Sequence, residues 1–200
     1  GLGCGKASLE VDMARVPHVP LAQLPTPLEP MPRLSAELGG PRIWVKRDDQ
    51  TGLAMGGNKV RKLEYLLAEA QELDADIVLT TGATQSNHCR QTAAAAARLG
   101  LDCELLIEHR FPDWTDDYRH GGNLQLGRLL GASVLDFDKG TDTTVEMDRR
   151  ADELRAEGRT PYVVPLGGSN VVGALGYRTA AVEILRQSDD RGFEPREIVH

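Results

Sequence analysis

With 200 residues, 40% of them hydrophobic and 26% charged, the chain has the makeup of one or two small globular domains. A net charge of −7, only 4% aromatic residues and no basic run argue against nucleic acid as a partner, and no apolar stretch reaches the length of a membrane span. Three cysteines without metal-like spacing (Cys4, Cys89, Cys103) and five scattered histidines point to a reducing cytoplasm and to no metal site.

The opening GLGCGKASLEVD lacks a signal peptide's apolar core. Met13 reads as a natural beginning, so residues 1–12 are expected to be an upstream extension. Seven prolines between 17 and 41 predict a wrapping segment with one short helix near RLSAELG, and RIWVKRDD reads as a strand ending in charge. Gly56-Gly57-Asn58-Lys59 then delivers a lysine to the first turn of an amphipathic helix, in which Val60, Leu63, Leu67 and Ala70 recur at helical spacing. A helix N-terminus disfavours a second positive charge and lowers an amine's pKa, as attack on a carbonyl at neutral pH requires. Taken alone, the motif favours a solvated lysine at a helix start. Lys46 is a rival amine, but beside Arg47 and Asp48 an ion-paired surface lysine is expected; Lys62 belongs to the helix flank.

DIVLTTG reads as a buried strand, followed by Ala83-Thr84-Gln85-Ser86-Asn87-His88 and an alanine helix stopped by Gly100. Ser or Asn alone is an ordinary helix cap. Three adjacent polar residues exceed what one cap needs, and a helix N-terminus after a strand is a ready anion site. Further on come a strand CELLIE, a polar loop over 109–121, a helix NLQLGRLLG, a strand SVLDF, a helix over 143–157 and a strand YVVPL. The loop carries Phe111, Trp114 and Tyr118; a surface excursion is favoured over a lid. After YVVPL the strand–loop–helix design repeats at Gly167-Gly168-Ser169-Asn170, where a capped turn and a site role weigh equally. Alternating strands and helices imply a parallel sheet covered on both faces, with polar loops at the strands' C-terminal ends, where such sheets bind ligands.

KRDDQTGLAMGGNKVRKLEYL, TGATQSNHCRQTAAAAARLGL and VPLGGSNVVGALGY resemble, in this order, the D-cysteine desulfhydrase and 1-aminocyclopropane-1-carboxylate deaminase group. These are pyridoxal-phosphate enzymes of the tryptophan-synthase-β-like fold (fold type II). The resemblance runs from about Leu21 to the end of the chain. It implies an α/β protein of two open parallel-sheet domains: a smaller one at 56–163, and a larger cofactor domain formed by 1–55 and 164–200 and left incomplete. Lys59 would be the Schiff-base lysine. Asn58, Asn87, Gly167 and Gly168 would contact pyridoxal 5′-phosphate, Asn87 at the ring hydroxyl. Ser86, Asn87 and His88 would meet the substrate carboxylate, Ser86 would join proton transfer, and Ser169 would line the substrate pocket. The implied activity is α,β-elimination on a small amino acid by a cytoplasmic homodimer, D-cysteine going to pyruvate, hydrogen sulfide and ammonia. His88 leans to the desulfhydrase branch, since deaminases more often carry glutamine there; cysteate sulfo-lyases share the histidine. Cys89 replaces a small aliphatic or hydroxyl residue and is expected to pack as an apolar group rather than to react as a thiol.

EIVH reads as the opening of a strand, so the chain is taken as a fragment whose phosphate loop lies further on. That feature motivates a rival reading, a non-catalytic relic or ligand-binding domain. A nucleotide-binding Rossmann module is disfavoured, because no G-x-G-x-x-G follows the first strand.

Overall fold

The computed structural model describes residues 16–111 and 115–199. Cys4, Met13 and the expected extension at 1–12 lie outside them, as does Trp114. The proline-rich segment wraps as its sequence predicts and contributes an antiparallel pair, β1 (Leu28–Pro30) with β2 (Trp44–Lys46), joined through α1 (Pro32–Leu38). Helix α2 (Val60–Glu72) leads into β3 (Ile77–Ala83), α3 (Asn87–Leu99) and β4 (Asp102–His109). There follow α4 (Asp116–His120), α5 (Gly122–Leu129), β5 (Ser133–Asp138), α6 (Thr143–Ala156), β6 (Pro161–Val163) and the long α7 (Val171–Asp190).

Strands β3 to β6 form one parallel sheet in the order β5-β4-β3-β6. Alternate residues of a strand face opposite sides. Cys103, Leu105 and Ile107 of β4 therefore pack with Cys89, Ala93 and Ala96 of α3 and Leu124 of α5. Ile77 and Leu79 of β3 pack with Ala151 and Leu154 of α6 on the other face. Val78 joins the largest apolar cluster, built on the α2 stripe Val60, Leu63, Leu66, Leu67 and Ala70 with Tyr162 and Val164. Both faces are covered, which is why β3 and β4 read as continuous apolar runs.

Helix α7 lies directly on α2. A Cβ added at Gly176 would fall 2.1 Å from the Arg61 carbonyl oxygen, so glycine permits this approach.

Two expectations change. The polar loop 109–121 is partly helical, because Thr115 caps α4 by accepting from the Tyr118 N–H, with Asp116 and Asp117 in the first turn favouring the helix dipole. EIVH shows no strand over 197–199. A strand needs a hydrogen-bonded neighbour, and among the described residues none pairs there, leaving Ile198 and Val199 exposed.

Candidate active site

The lysine loop is backbone held under strain. Gly52, Ala54, Met55, Gly56 and Gly57 all have positive φ (87°, 45°, 72°, 73° and 136°). Side chains clamp it from behind. The buried Thr51 hydroxyl donates to the Gly57 carbonyl and accepts from the Gly57 N–H, both at 2.8 Å. Arg90 of α3 donates to the Gly56 carbonyl at 2.6 Å. Gln91, also on α3, accepts from the Val60 N–H at 2.9 Å and so caps α2 from outside. Only glycine fits at 57, since a Cβ there would fall 2.1 Å from Gln91 Nε2.

Lys59 follows in helical conformation, and its carbonyl accepts from the N–H groups of Lys62 and Leu63, both at 3.0 Å. Its half-buried side chain reaches the other glycine loop: a Cβ added at Gly167 would lie 3.6 Å from Lys59 Nζ. Among the described residues Nζ makes no hydrogen bond or ion pair.

Ser86, Asn87 and His88 open α3 and diverge. Ser86 is the cap, accepting from the Cys89 N–H at 3.2 Å. Asn87 Nδ2 donates to Asn58 Oδ1 at 3.1 Å, which ties this turn to the lysine loop. His88 turns inward and is 3% exposed. Its Nε2 lies 2.8 Å from Thr80 Oγ1, which donates to the Val164 carbonyl at 2.9 Å. A hydroxyl has one proton to give, so His88 donates from Nε2, and among the described residues its Nδ1 makes no hydrogen bond of good geometry. Burial above all, then the charges of Lys59 and Lys62, push this imidazole down to about 3 against the pull of the Pro165 backbone. His88 is therefore neutral at physiological pH, and what it presents to the turn is backbone rather than ring.

Cys89 packs as expected. It is buried against Gly82, and burial pushes its thiol up to about 12, so it carries no thiolate at neutral pH.

The turn at Gly167 and Gly168 (φ 65° and 61°) brings Ser169 toward α2. Asn170, not Ser169, caps α7, accepting from the Gly173 N–H at 2.8 Å. Ser169 Oγ accepts instead from Lys62 Nζ at 2.9 Å, and the Gly167 carbonyl accepts from the same amine at 3.1 Å. Lys62 thus belongs to the site and not to an outer flank; burial, then the charge of Lys59, hold its amine below the usual lysine value. Lys46 is ion-paired as expected, to Glu183 at 2.7 Å, but the pair is largely buried rather than on the surface, because α7 covers it. Tyr177 of α7 was not singled out in the sequence. Its phenol is raised by burial and shares a hydrogen bond with Asn58 that opposes the shift.

Lys59, Asn58, the α3 start and Gly167 therefore lie close together. Two ammonium groups and a helix N-terminus make this region positive within an acidic chain, so it suits a small anion or the carboxylate of an amino acid.

The family of pyridoxal-phosphate-dependent enzymes matches residues 19–200. The chain belongs to this family. D-cysteine desulfhydrase from Klebsiella pneumoniae is 49% identical over 179 residues, 90% of this chain and 54% of the relative. The crystal structure of an ACC deaminase homologue superposes with a TM-score of 0.81 at 39% identity, over 90% of this chain and 54% of the other. Diaminopropionate ammonia lyase from Escherichia coli shares the fold with a TM-score of 0.64 at 23% identity, over 96% and 55% of the two chains. The fold is thus that of fold-type II enzymes of this family, and its cofactor is pyridoxal phosphate. The chain spans about half the length of the curated relatives it matches. No helix among the described residues is long and apolar enough to cross a membrane.

Proposed function

We propose that Lys59 anchors pyridoxal 5′-phosphate and that the whole protein eliminates the β-substituent of a small amino acid, converting D-cysteine and water to pyruvate, hydrogen sulfide and ammonia. The observation that carries this reading is the unpaired Lys59 amine facing Gly167, beside the Asn58–Asn87 pair. These residues fit the cofactor: glycine at 167, held in left-handed backbone (φ 65°), leaves the space beside the Lys59 amine free of a side chain.

Pyridoxal phosphate, when bound, supplies a carbonyl that captures an amine and a ring that accepts the electrons left at Cα. The protein does the rest. Asn58, Asn87, Gly167 and Gly168 would hold the cofactor, Asn87 at its ring hydroxyl. Ser86 Oγ accepts from the Cys89 N–H and so keeps its own proton to give to the substrate carboxylate, which the N-terminus of α3 also attracts. Backbone at Asn87 and His88 completes that contact, and Ser169 lines the pocket. Lys59 Nζ takes the α-proton, with Ser86 Oγ close to the same path.

A second reading, deamination of a cyclopropane amino acid, is favoured by the likeness to the ACC deaminase homologue. We also propose the division into a smaller domain at 56–163 and a larger one from 1–55 and 164–200, with a crevice between them, and a cytoplasmic homodimer. The two buried free cysteines, Cys89 and Cys103, suit a reducing compartment.

On the intact protein, Lys59→Ala should abolish both the cofactor's visible absorption and borohydride fixation of cofactor to the protein; retention of both refutes the lysine assignment. Wild-type protein should release sulfide from D-cysteine. Release of 2-oxobutanoate from the cyclopropane substrate, or of sulfite from cysteate, without sulfide would replace the substrate assignment.

A further inference from the structure

We propose that Asp136, His109 and Thr84 form a positioning relay that sets the amino-acid-binding turn before α3. The proposal rests on the reading of Ser86 and Asn87 as the carboxylate contact. Strand β3 ends at Ala83, and the chain turns into α3 through a bond from the Ser86 N–H to the Ala83 carbonyl at 2.9 Å. Two side chains of this turn reach sideways. Gln85 Nε2 donates to the carbonyls of Tyr118 and Gly121, and its Oε1 accepts from the Asn123 N–H at 2.9 Å. Thr84 is 2% exposed, and its Oγ1 lies 3.2 Å from His109 Nδ1. His109 Nε2 in turn lies 2.8 Å from Asp136 Oδ1.

Thr84 follows the last residue of β3, His109 ends β4 and Asp136 lies two residues before the end of β5, so the three stand toward the C-terminal edge, where parallel sheets place their ligands. Asp136 accepts from Nε2–H and so orients the ring, and Nδ1 of the Nε2–H tautomer is the acceptor for the Thr84 hydroxyl. A buried hydroxyl needs such a partner. His109 and Asp136 also line a cavity of about 370 Å³ with Arg119, His120, Asp138 and Lys139. Neither Ser86 nor Asn87 touches the relay: Ser86 caps its own helix and Asn87 bonds Asn58. Their placement along the strand direction is set by Thr84 and Gln85, and displacing a binding group by about 1 Å can cost up to about a hundredfold.

The test uses cofactor-loaded protein and glycine, which is titrated against the visible absorption. Thr84→Val keeps the side-chain shape without the hydroxyl, and His109→Phe keeps a flat ring without nitrogens. Each should weaken glycine binding by about tenfold, roughly the worth of one good hydrogen bond. Thr84→Ser should bind as wild type. The double variant should be no weaker than either single one, because both break one path. Cofactor absorption should stay at its wild-type value while the melting temperature falls by only a few degrees, the worth of one buried hydrogen bond; loss of cofactor absorption in these variants would show a structural role and overturn the proposal. Additive losses, or wild-type affinity in Thr84→Val, would also overturn it. If wild type takes up no cofactor or shows no response to glycine, the site reading falls and the relay with it. If wild type responds and the variants match it, the relay alone falls.

Discussion

Ser86, Asn87 and His88 are consecutive polar residues, yet one caps a helix, one bridges to the lysine loop and one is buried under β3 and Pro165. The division follows from helix geometry: each residue rotates about 100° from the last, so three in a row cannot share a face. His88 has a measurable consequence. Its folded pKa, about 3, lies below the 6.5 of an exposed histidine, so between those values the unfolded chain binds a proton that the folded one does not. Stability therefore rises with pH across this window; His88's contribution is complete above about 6.5 and is lost as the pH falls toward 3. His88→Gln can still donate to Thr80 but cannot titrate. From pH 7 to pH 5, wild type should lose about 2 kcal/mol relative to this variant, read from urea midpoints. Parallel pH profiles would show that the histidine is not held neutral. The three-residue string singles out this turn in the sequence, but which way each side chain points does not show there. That depends on Thr80, Val164 and Asn58, which come from three other segments.

At the level of elements, strand and helix positions were legible wherever apolar spacing was regular: α2, β3, α3 and α6 lie where the spacing predicts them. The lysine loop was only half legible. Gly52, Gly56 and Gly57 advertise positive φ, but Ala54 and Met55 adopt it too, and nothing local in their chemistry says so. The clamps from Thr51, Arg90 and Gln91 fix the residues that follow, Gly56, Gly57 and Val60. Left-handed backbone costs an L-residue about 1–2 kcal/mol, and strain of this kind gathers at functional sites. Met55 is 77% exposed, so its side chain contributes little packing. Met55→Gly should remove the strain at the cost of a more flexible unfolded chain, for a net gain of roughly 0.5–1 kcal/mol and a higher melting temperature. A lower melting temperature would mean that the exposed methionine packs against something in solution. Helix α4 went unread for a different reason. It is five residues long, too short to show an apolar period, so the stretch reads as polar loop.

What joins these elements into one molecule is a charge cluster that no local pattern discloses. Arg61, two residues after Lys59, is fully buried and donates to Asp48 at 2.8 and 2.9 Å, to both Glu183 oxygens at 2.9 Å and to Thr26 at 3.0 Å. Lys46 adds bonds to Glu183, Gln187 and the Thr26 carbonyl. Burial alone would raise the Glu183 carboxyl; the hydrogen bonds from Arg61 and Lys46 overcome it and hold that carboxyl below its usual value. The wrapping N-terminal segment, α2 and α7 therefore meet at one guanidinium, directly behind the lysine loop. Removing one member of a buried ionic set costs more than the set contributes, because the carboxylates stay behind without a partner. Arg61→Ala should destabilise the protein by about 3–5 kcal/mol, and Arg61→Lys should not restore it, since an ammonium's donors cannot reproduce the guanidinium's planar fork onto both carboxylates. Chemical denaturation of both variants checks this, and a loss below about 1 kcal/mol would place the cluster's weight elsewhere. Cofactor absorption gives a second check at the distance of the site: Lys59 starts the same helix that Arg61 pins to α7, so a helix freed to shift on α7 moves the amine away from Gly167. Arg61→Ala that still folds should therefore hold cofactor more weakly than Met55→Gly, although neither residue faces the site.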